Sequence, residues 1–448
     1  MAMKVTVIGL GYLGATHAVA MAELGHEVVG IEADPNRLSA LQDGKLPFHE
    51  PGLDEALTRT LATGRITFQA AHGENTRDAD VHFLCVGTPQ LAGSYAADTS
   101  YLHSAAEALA PYLSSTAVVA GKSTVPVGTA KLLKEKLSAL AGSDARLCWN
   151  PEFLREGTAL EDSLRPDRIV IGVEEGDAHS EQVMRNVYEP IMNGDSGSPA
   201  GQTPFLVVDV ATSELVKVAA NSFLATKISF INAMAEISEA AGADAVALAE
   251  AIGMDARIGK LFLRNGIGFG GGCLPKDIRA FMARADELGV GQAVDFLADV
   301  DAVNLRRRDR VIELAKRELG DLSGKRILML GAAFKPDSDD LRDSPALDVA
   351  VRLRALGADV VIHDPISLGG VRARHPELTA IDNLDAAAAS AEIVLVGTEW
   401  KQYREIDPVH FGSLVADKTV IDGRNCLPYH QWQEAGWRVI ALGRNLER

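Results

Sequence analysis

A chain of 448 residues is longer than one hydrophobic core usually serves, which predicts two or three domains. Its 47% hydrophobic and 23% charged residues argue against a disordered chain, and a net charge of −17 without a long basic run argues against a nucleic-acid partner. An anionic ligand would need a few particular cations to hold it against that field. No stretch approaches the roughly 18–20 uninterrupted apolar residues of a membrane span, and MAMKVTVIGLGYLG lacks the basic and apolar regions of a secretory signal, so the chain reads as cytoplasmic with no membrane partner. Cys85, Cys148, Cys273 and Cys426 show no metal-ligand spacing or disulfide pattern, and no metal is expected.

In chain order, KVTVIGL, a helix through Leu24, HEVVGIE, a helix from Pro35, VHFLCVG, another helix and TAVVAGKST alternate as strands and helices do around a doubly wound parallel sheet. ARLCWN and DRIVIGV continue it, and a loop-rich stretch follows at 193–204. A long helix is predicted from Thr212 through Ala241, with Thr212 or Ser213 as N-cap, then a helical region from Lys276 to Leu319. The alternation resumes near Leu322. KRILMLG, GADVVIHDP, AEIVLVGT and KTVIDGRN repeat, in order, the strings KVTVIGL, GHEVVGIEADP, ADVHFLCVGT and TAVVAGKS. The fold expected is α/β, two Rossmann-like doubly wound domains (1–208 and 320–448) flanking a central helical domain (209–319) that carries the connecting helix, a dimerisation surface and the Cys273 loop.

Gly9, Gly11 and Gly14 form GxGxxG between the first strand and first helix, the arrangement in which a helix N-terminus meets a dinucleotide pyrophosphate. Glu32, ending the second strand, would accept ribose hydroxyls and repel a 2′-phosphate, favouring NAD; Arg37 nearby is the one feature against that preference. Cys273 lies in GFGGGCLPKD, where backbone amides and Lys276 favour a reactive thiolate, with Asp277 beside it. Lys217 and Asn221 share a helix face and suggest an oxyanion or proton-transfer site, or else a solvated stripe. Glu152 and Glu156 would lie one turn apart if PEFLREG were helical, placed for acid/base work or simply exposed. Lys335, Arg342 and Arg424, at strand ends of the third region, are the cations that an anion would require, and Lys335 with Arg424 would converge on a diphosphate.

These motifs, with LPFHEPGL, VGTP, KSTVPVGT, NPEFLREG, ELVKVAANSF, RIGKLFLRNGIGFGGGCLPKD, AAFKPDSDDLRDSP and DGR, resemble the UDP-glucose 6-dehydrogenase branch of the UDP-glucose/GDP-mannose dehydrogenase family over nearly the whole chain. The resemblance implies an NAD-dependent, four-electron oxidation of UDP-glucose to UDP-glucuronate. Cys273 would carry a thiohemiacetal and then a thioester; Lys217 and Asn221 would stabilise oxyanions; Asp277, Thr124 and Glu152 would hold or activate the hydrolytic water. NAD would contact Gly9, Gly11, Tyr12, Leu13, Gly14, Glu32, Arg37, Thr88, Ser123, Glu156, Lys276 and Arg342. The UDP-sugar would contact Phe153, Leu154, Lys217, Asn221, Phe262, Leu263, Phe269, Gly270, Phe334, Lys335 and Arg424, and Arg257 would reach the neighbouring active site of a homodimer. Two departures stand out: Glu32 where Asp is commoner, and Gly272 where Ser is frequent. Dehydrogenases of UDP-N-acetylhexosamines or GDP-mannose share this machinery, and a non-catalytic sensor of NAD or a nucleotide sugar is the reading from another class.

Overall fold

The computed structural model describes residues 2–194 and 203–446, so most of the loop expected at 193–204 lies outside the described residues. The chain divides into two compact units. One comprises the described residues up to Ala220 with Asp286–Leu288; the other comprises Asn221–Ala285 and the described residues from Gly289 onward. The division falls inside the long helix Val210–Ala241.

The first unit is built on an eight-stranded sheet of β1 (Lys4–Ile8), β2 (Glu27–Ile31), β3 (Ile66–Gln69), β4 (Val81–Leu84), β5 (Val118–Gly121), β6 (Arg146–Trp149), β7 (Ile169–Val173) and β8 (Phe205–Asp209). Their order is β3-β2-β1-β4-β5-β6-β7-β8, the strand order reversing beside β1 as in doubly wound sheets. The central strands are apolar on both faces: Val5 and Val7 enter one core with Leu10, Val28 and Phe83, while Ile8 enters the other with Val29, Leu84 and Trp149. Three strands depart from the sequence reading, β8 because it has no counterpart there and two others in kind. β3 buries only one face, alternating buried Ile66 and Phe68 with exposed Thr67, so it lacks the continuous apolar run that marks the others. β7 runs antiparallel to β6, a reversal that strand composition does not encode.

In the second unit, β9 (Arg326–Leu330), β10 (Asp359–His363), β11 (Thr379–Ala380), β12 (Ile393–Val396), β13 (Thr419–Asp422) and β14 (Arg438–Ala441) form a wholly parallel sheet in the order β11-β10-β9-β12-β13-β14. This reproduces β3-β2-β1-β4-β5-β6, and the four repeated strings fall on the equivalent pairs β1/β9, β2/β10, β4/β12 and β5/β13.

The long helix begins two residues before the expected Thr212. The Asp209 carboxylate accepts the Thr212 N–H at 2.8 Å and its hydroxyl at 2.5 Å, so Asp209 caps it rather than Thr212 or Ser213. The helical region expected over Lys276–Leu319 is two helices, Leu274–Glu287 and Phe296–Leu319, separated at Gly289, whose φ of 75° ends the first.

Several histidines of the first unit are buried and held neutral. Burial pushes His82 down to about 3 and His17 well below its ordinary value, while His82 Nδ1 lies 2.7 Å from the Thr6 hydroxyl. A folded-state pKa below the unfolded one means that the unfolded chain binds the extra proton, so the stability from neutral His82 is complete above about 6.5 and declines as pH falls towards 3. His82→Gln, which does not titrate, is expected to lose about 1–2 kcal/mol less stability between pH 7 and pH 5 than the wild type in urea unfolding.

Candidate active site

In the first unit the glycine loop leaves β1 at Gly9, whose φ of 85° no side chain would readily adopt. A Cβ on Gly14 would lie 1.8 Å from the Gly9 carbonyl oxygen, so helix Tyr12–Glu23 touches the loop only because residue 14 has no side chain. A Cβ on Gly11, the N-cap, would meet nothing within 4 Å. The helix thus presents uncapped amides, with no acidic residue in its first turn, to open space, and this fits a pyrophosphate. Glu32 accepts the Leu10 N–H at 2.9 Å and the Asp34 N–H at 2.9 Å, which anchors its carboxylate beside the loop. Arg37, the feature that argued for a 2′-phosphate, pairs with Glu32 at 3.2 Å.

The second unit shows what a Rossmann unit looks like without these features. Gly331, Ala332 and Ala333 follow β9, and Asp364, which follows β10 as Glu32 follows β2, is buried under five donors: the N–H groups of Ala332, Ala333, Ile366 and Ser367, and Trp400 Nε1. The acid that would meet a ribose is saturated within the protein.

At the ends of β4 and β5, the Thr88 hydroxyl donates to the Thr124 carbonyl at 2.6 Å and the Ser123 hydroxyl to Val86 at 2.6 Å, joining the two loops. After β6, residues 151–157 are a loop and not a helix, so Glu152 and Glu156 do not form a one-turn pair. Glu152 instead pairs with Lys217 Nζ at 2.9 Å, both largely buried, and accepts the Leu154 N–H at 2.8 Å. The Phe153 ring lies under two cations, with Arg168 at 3.9 Å and Lys217 at 5.7 Å. Tyr12 donates its hydroxyl to Glu50, which also accepts the N–H groups of Gly157 at 2.6 Å and Ala159 at 2.7 Å. Glu50 is thus the reason for the HEPGL motif: it ties the first helix to the 151–157 loop. Leu13 packs against the core beside Tyr12.

In the second unit Cys273 is exposed and is the N-cap of helix Leu274–Glu287, its carbonyl accepting the Asp277 N–H at 2.9 Å. The aligned peptide dipoles favour negative charge on sulfur there. Lys276, expected to activate the thiol, pairs with Asp277 at 2.5 Å, and Asp277 accepts the Asn221 Nδ2–H at 2.6 Å. The glycines before Cys273 answer to a neighbouring loop. A Cβ on Gly270 would lie 2.2 Å from the Asp343 carbonyl, one on Gly271 2.8 Å from the Phe334 ring and one on Gly272 2.2 Å from the Arg342 guanidinium, while the Gly271 N–H donates to the Arg342 carbonyl at 2.9 Å. Arg342 is fixed by the Asp340 carboxylate at 2.8 Å.

Leu263 and Phe269 are core side chains, packed with Ile231 and with Ala225 and Ile278 respectively. Asn304 also takes both backbone groups of Phe269, at 2.7 and 3.0 Å. Phe262 is more open and held at a φ of 61°. Lys335 Nζ lies 5.3 Å from the Phe334 ring. Arg424 donates to the carbonyls of Gly397, Gly268 and Phe334 at 2.8, 3.0 and 2.9 Å, tying three loops together. Arg257 pairs with Asp255 at 2.6 Å on the surface. Glu50 and Asn304 were missed as positioning residues because their partners lie 107 and 35 residues away.

Gly14→Ala is expected to lower stability by about 1–3 kcal/mol and to weaken NADH binding at least tenfold, whereas Gly11→Ala should keep stability within about 1 kcal/mol and lose only NADH affinity. Thermal unfolding and NADH fluorescence titration separate the two.

Residues 3–192 match the NAD binding domain of the UDP-glucose/GDP-mannose dehydrogenase family, residues 211–306 its central domain and residues 328–429 its UDP binding domain. The chain is 39% identical to the UDP-glucose 6-dehydrogenase of Rhizobium meliloti, covering 99% of this chain and 100% of that one, and 37% identical to that of Pseudomonas aeruginosa, covering 99% and 98%. Among solved structures, a UDP-glucose dehydrogenase from the hyperthermophilic archaeon Pyrobaculum islandicum superposes with a TM-score of 0.89 at 37% identity, over 99% of this chain and 98% of that one. A UDP-D-ManNAc dehydrogenase from Pyrococcus horikoshii shares the fold, with a TM-score of 0.84 at 24% identity over 99% of each chain. The chain belongs to the UDP-glucose/GDP-mannose dehydrogenase family and is an NAD-dependent oxidoreductase.

Proposed function

We propose that this enzyme oxidises the C6 hydroxyl of UDP-glucose to a carboxylate in two successive oxidations, with Cys273 as covalent nucleophile. The observation that carries this reading is the exposed Cys273 thiol at the positive end of helix Leu274–Glu287, one turn from an Asp277 carboxylate held by Asn221 and Lys276. The Gly9–Gly14 loop and Glu32 would hold NAD, which would supply a hydride acceptor for each oxidation. Lys217, once its own proton has passed to its partner Glu152, receives the proton of the C6 hydroxyl in the first. The Cys273 thiolate then adds to the C6 aldehyde, and Lys217 and Asn221 steady the resulting oxyanion. The second oxidation leaves a thioester. Water attacks it, oriented by Asp277, Thr124 and Glu152, and releases the carboxylate with the thiol regenerated. The balance is one UDP-glucose, two NAD and one water to UDP-glucuronate, two NADH and three protons.

The substrate assignment rests on relatives named for UDP-glucose at 34–39% identity. Lys335, Phe334 and Gly270 are assigned to the UDP-sugar, Phe153 and Leu154 to the hexose, and Thr88, Ser123, Glu156 and Arg342 to the cofactor. Wild-type enzyme should give two NADH per UDP-glucose and prefer it over UDP-GlcNAc, UDP-ManNAc and GDP-mannose in initial rates. Cys273→Ser should bind NADH normally and show no net turnover; wild-type production of UDP-glucuronate by this variant would refute covalent catalysis.

We further propose a homodimer formed on the long helix. Phe223, Phe230 and Ile237 recur every seven residues along it and are 67%, 50% and 59% exposed, an apolar stripe of the kind that a second helix covers. Arg257 would leave its surface pairing with Asp255 to reach the partner's site, at little cost for so exposed a pair. Phe230→Glu is expected to give monomers by light scattering and to lower kcat; a dimeric variant would reject this interface.

A further inference from the structure

We propose that Lys122 is a positioning residue whose buried cation sets the protonation of the Glu152–Lys217 pair. The proposal rests on the reading above that this pair handles protons during oxidation.

Lys122 ends up inside the first unit because it follows β5 directly. Its ammonium donates to Asn150 Oδ1 at 3.0 Å and to the Tyr188 hydroxyl at 3.4 Å. Asn150 is itself fixed on every side, by Tyr188 at 2.5 Å, by its Nδ2 on the Val170 carbonyl at 2.9 Å and by its N–H on Gly121 at 2.7 Å. Two residues later the same loop presents Glu152. Lys122, His17, Asn150, Glu152, Phe153 and Tyr188 line one pocket of about 70 Å³, roomy enough for several waters.

A buried ammonium is costly, so a cation kept there calls for a reason beyond packing. Its neighbours narrow that reason. Cys85 after β4 and Cys148 in β6 are pushed up to about 12 by burial, Tyr188 is raised and His17 is lowered by the same cause, so all four are neutral at pH 7. The charges coupled to Lys122 are then Glu152, which favours the ammonium, and Lys217, which opposes it; burial remains the largest influence and pulls Lys122 down. On the other wall Arg155 is paired with Asp162, and Asp167 and Arg168 carry opposite charges, with Arg168 over Phe153.

The coupling is reciprocal and has one sign. Removing the Lys122 charge takes away a cation that attracts the Glu152 carboxylate and repels the Lys217 ammonium. Both changes favour holding the proton, so the pH dependence of kcat moves upward whichever group sets its limb.

The test is the kcat profile of the full-length enzyme with UDP-glucose and NAD. Lys122→Met should fold, because Asn150 Oδ1 keeps its bond from Tyr188, and its profile should shift upward by about 0.5–1 pH unit. Lys122→Gln, which retains a donor, should show the same shift and covers the case in which Met disturbs the fold. Tyr188→Phe leaves the cation in place, so its profile should stay at the wild-type position. A neutral variant with a lowered kcat but an unshifted profile would overturn the proposal, as would a shift in Tyr188→Phe. One NADH per UDP-glucose from wild type would sink the four-electron reading and leave this comparison valid.

Discussion

The position of Cys273, the proposed nucleophile, depends on the close approach of two loops. Gly270, Gly271 and Gly272 lie so close to the loop carrying Phe334, Arg342 and Asp343 that any Cβ there would collide, and a hydrogen bond from Gly271 to Arg342 closes the contact. This fixes where the chain turns into helix Leu274–Glu287 and hence puts Cys273 at its positive end. Arg279, on that helix, extends the restraint through Asp301 at 2.9 Å and Asp343 at 3.5 Å, and Arg308 grips Asp343 at 2.7 Å. The Gly272 position follows the same logic. The Arg342 guanidinium packs where a side chain would stand, so a serine there would first have to displace it from its place beside Asp340.

The two sheets share one topology and differ where ligands are decided. In the first, helix Tyr12–Glu23 begins at once after the glycine loop, with Glu32 beside it. In the second, a longer loop precedes helix Pro345–Ala355, and Asp364 is saturated by backbone amides. A duplicated scaffold therefore carries one dinucleotide site, and the second copy uses its strand-end loop to hold the Cys273 segment.

Buried charges organise the chemistry of each unit. Glu50 joins the first helix to the 151–157 loop, and Lys122 with Asn150 and Tyr188 fixes the start of that loop. In the second unit Asn304 pins Phe269, and Asp277 is held between Asn221 and Lys276. Apart from the neighbours Lys276 and Asp277, these groups are satisfied across long sequence separations, which is why they order the site instead of destabilising it.

The sequence by itself determined the α/β class, the repeat of strands, the glycine loop with Glu32 and the singular setting of Cys273, because these depend on local periodicity and on short spacings. It also made the family legible over the whole length. Tertiary structure decided what local pattern cannot: that β3 buries one face, that β7 runs against β6, and that residues 151–157 form a loop pairing Glu152 with Lys217. Arg424 donates to the carbonyls of three loops, and Leu263 and Phe269 pack into two separate cores. The physical reason is common to all of these. A side chain's role follows from which polar and apolar groups the fold brings to it, and those partners lie far away in the chain.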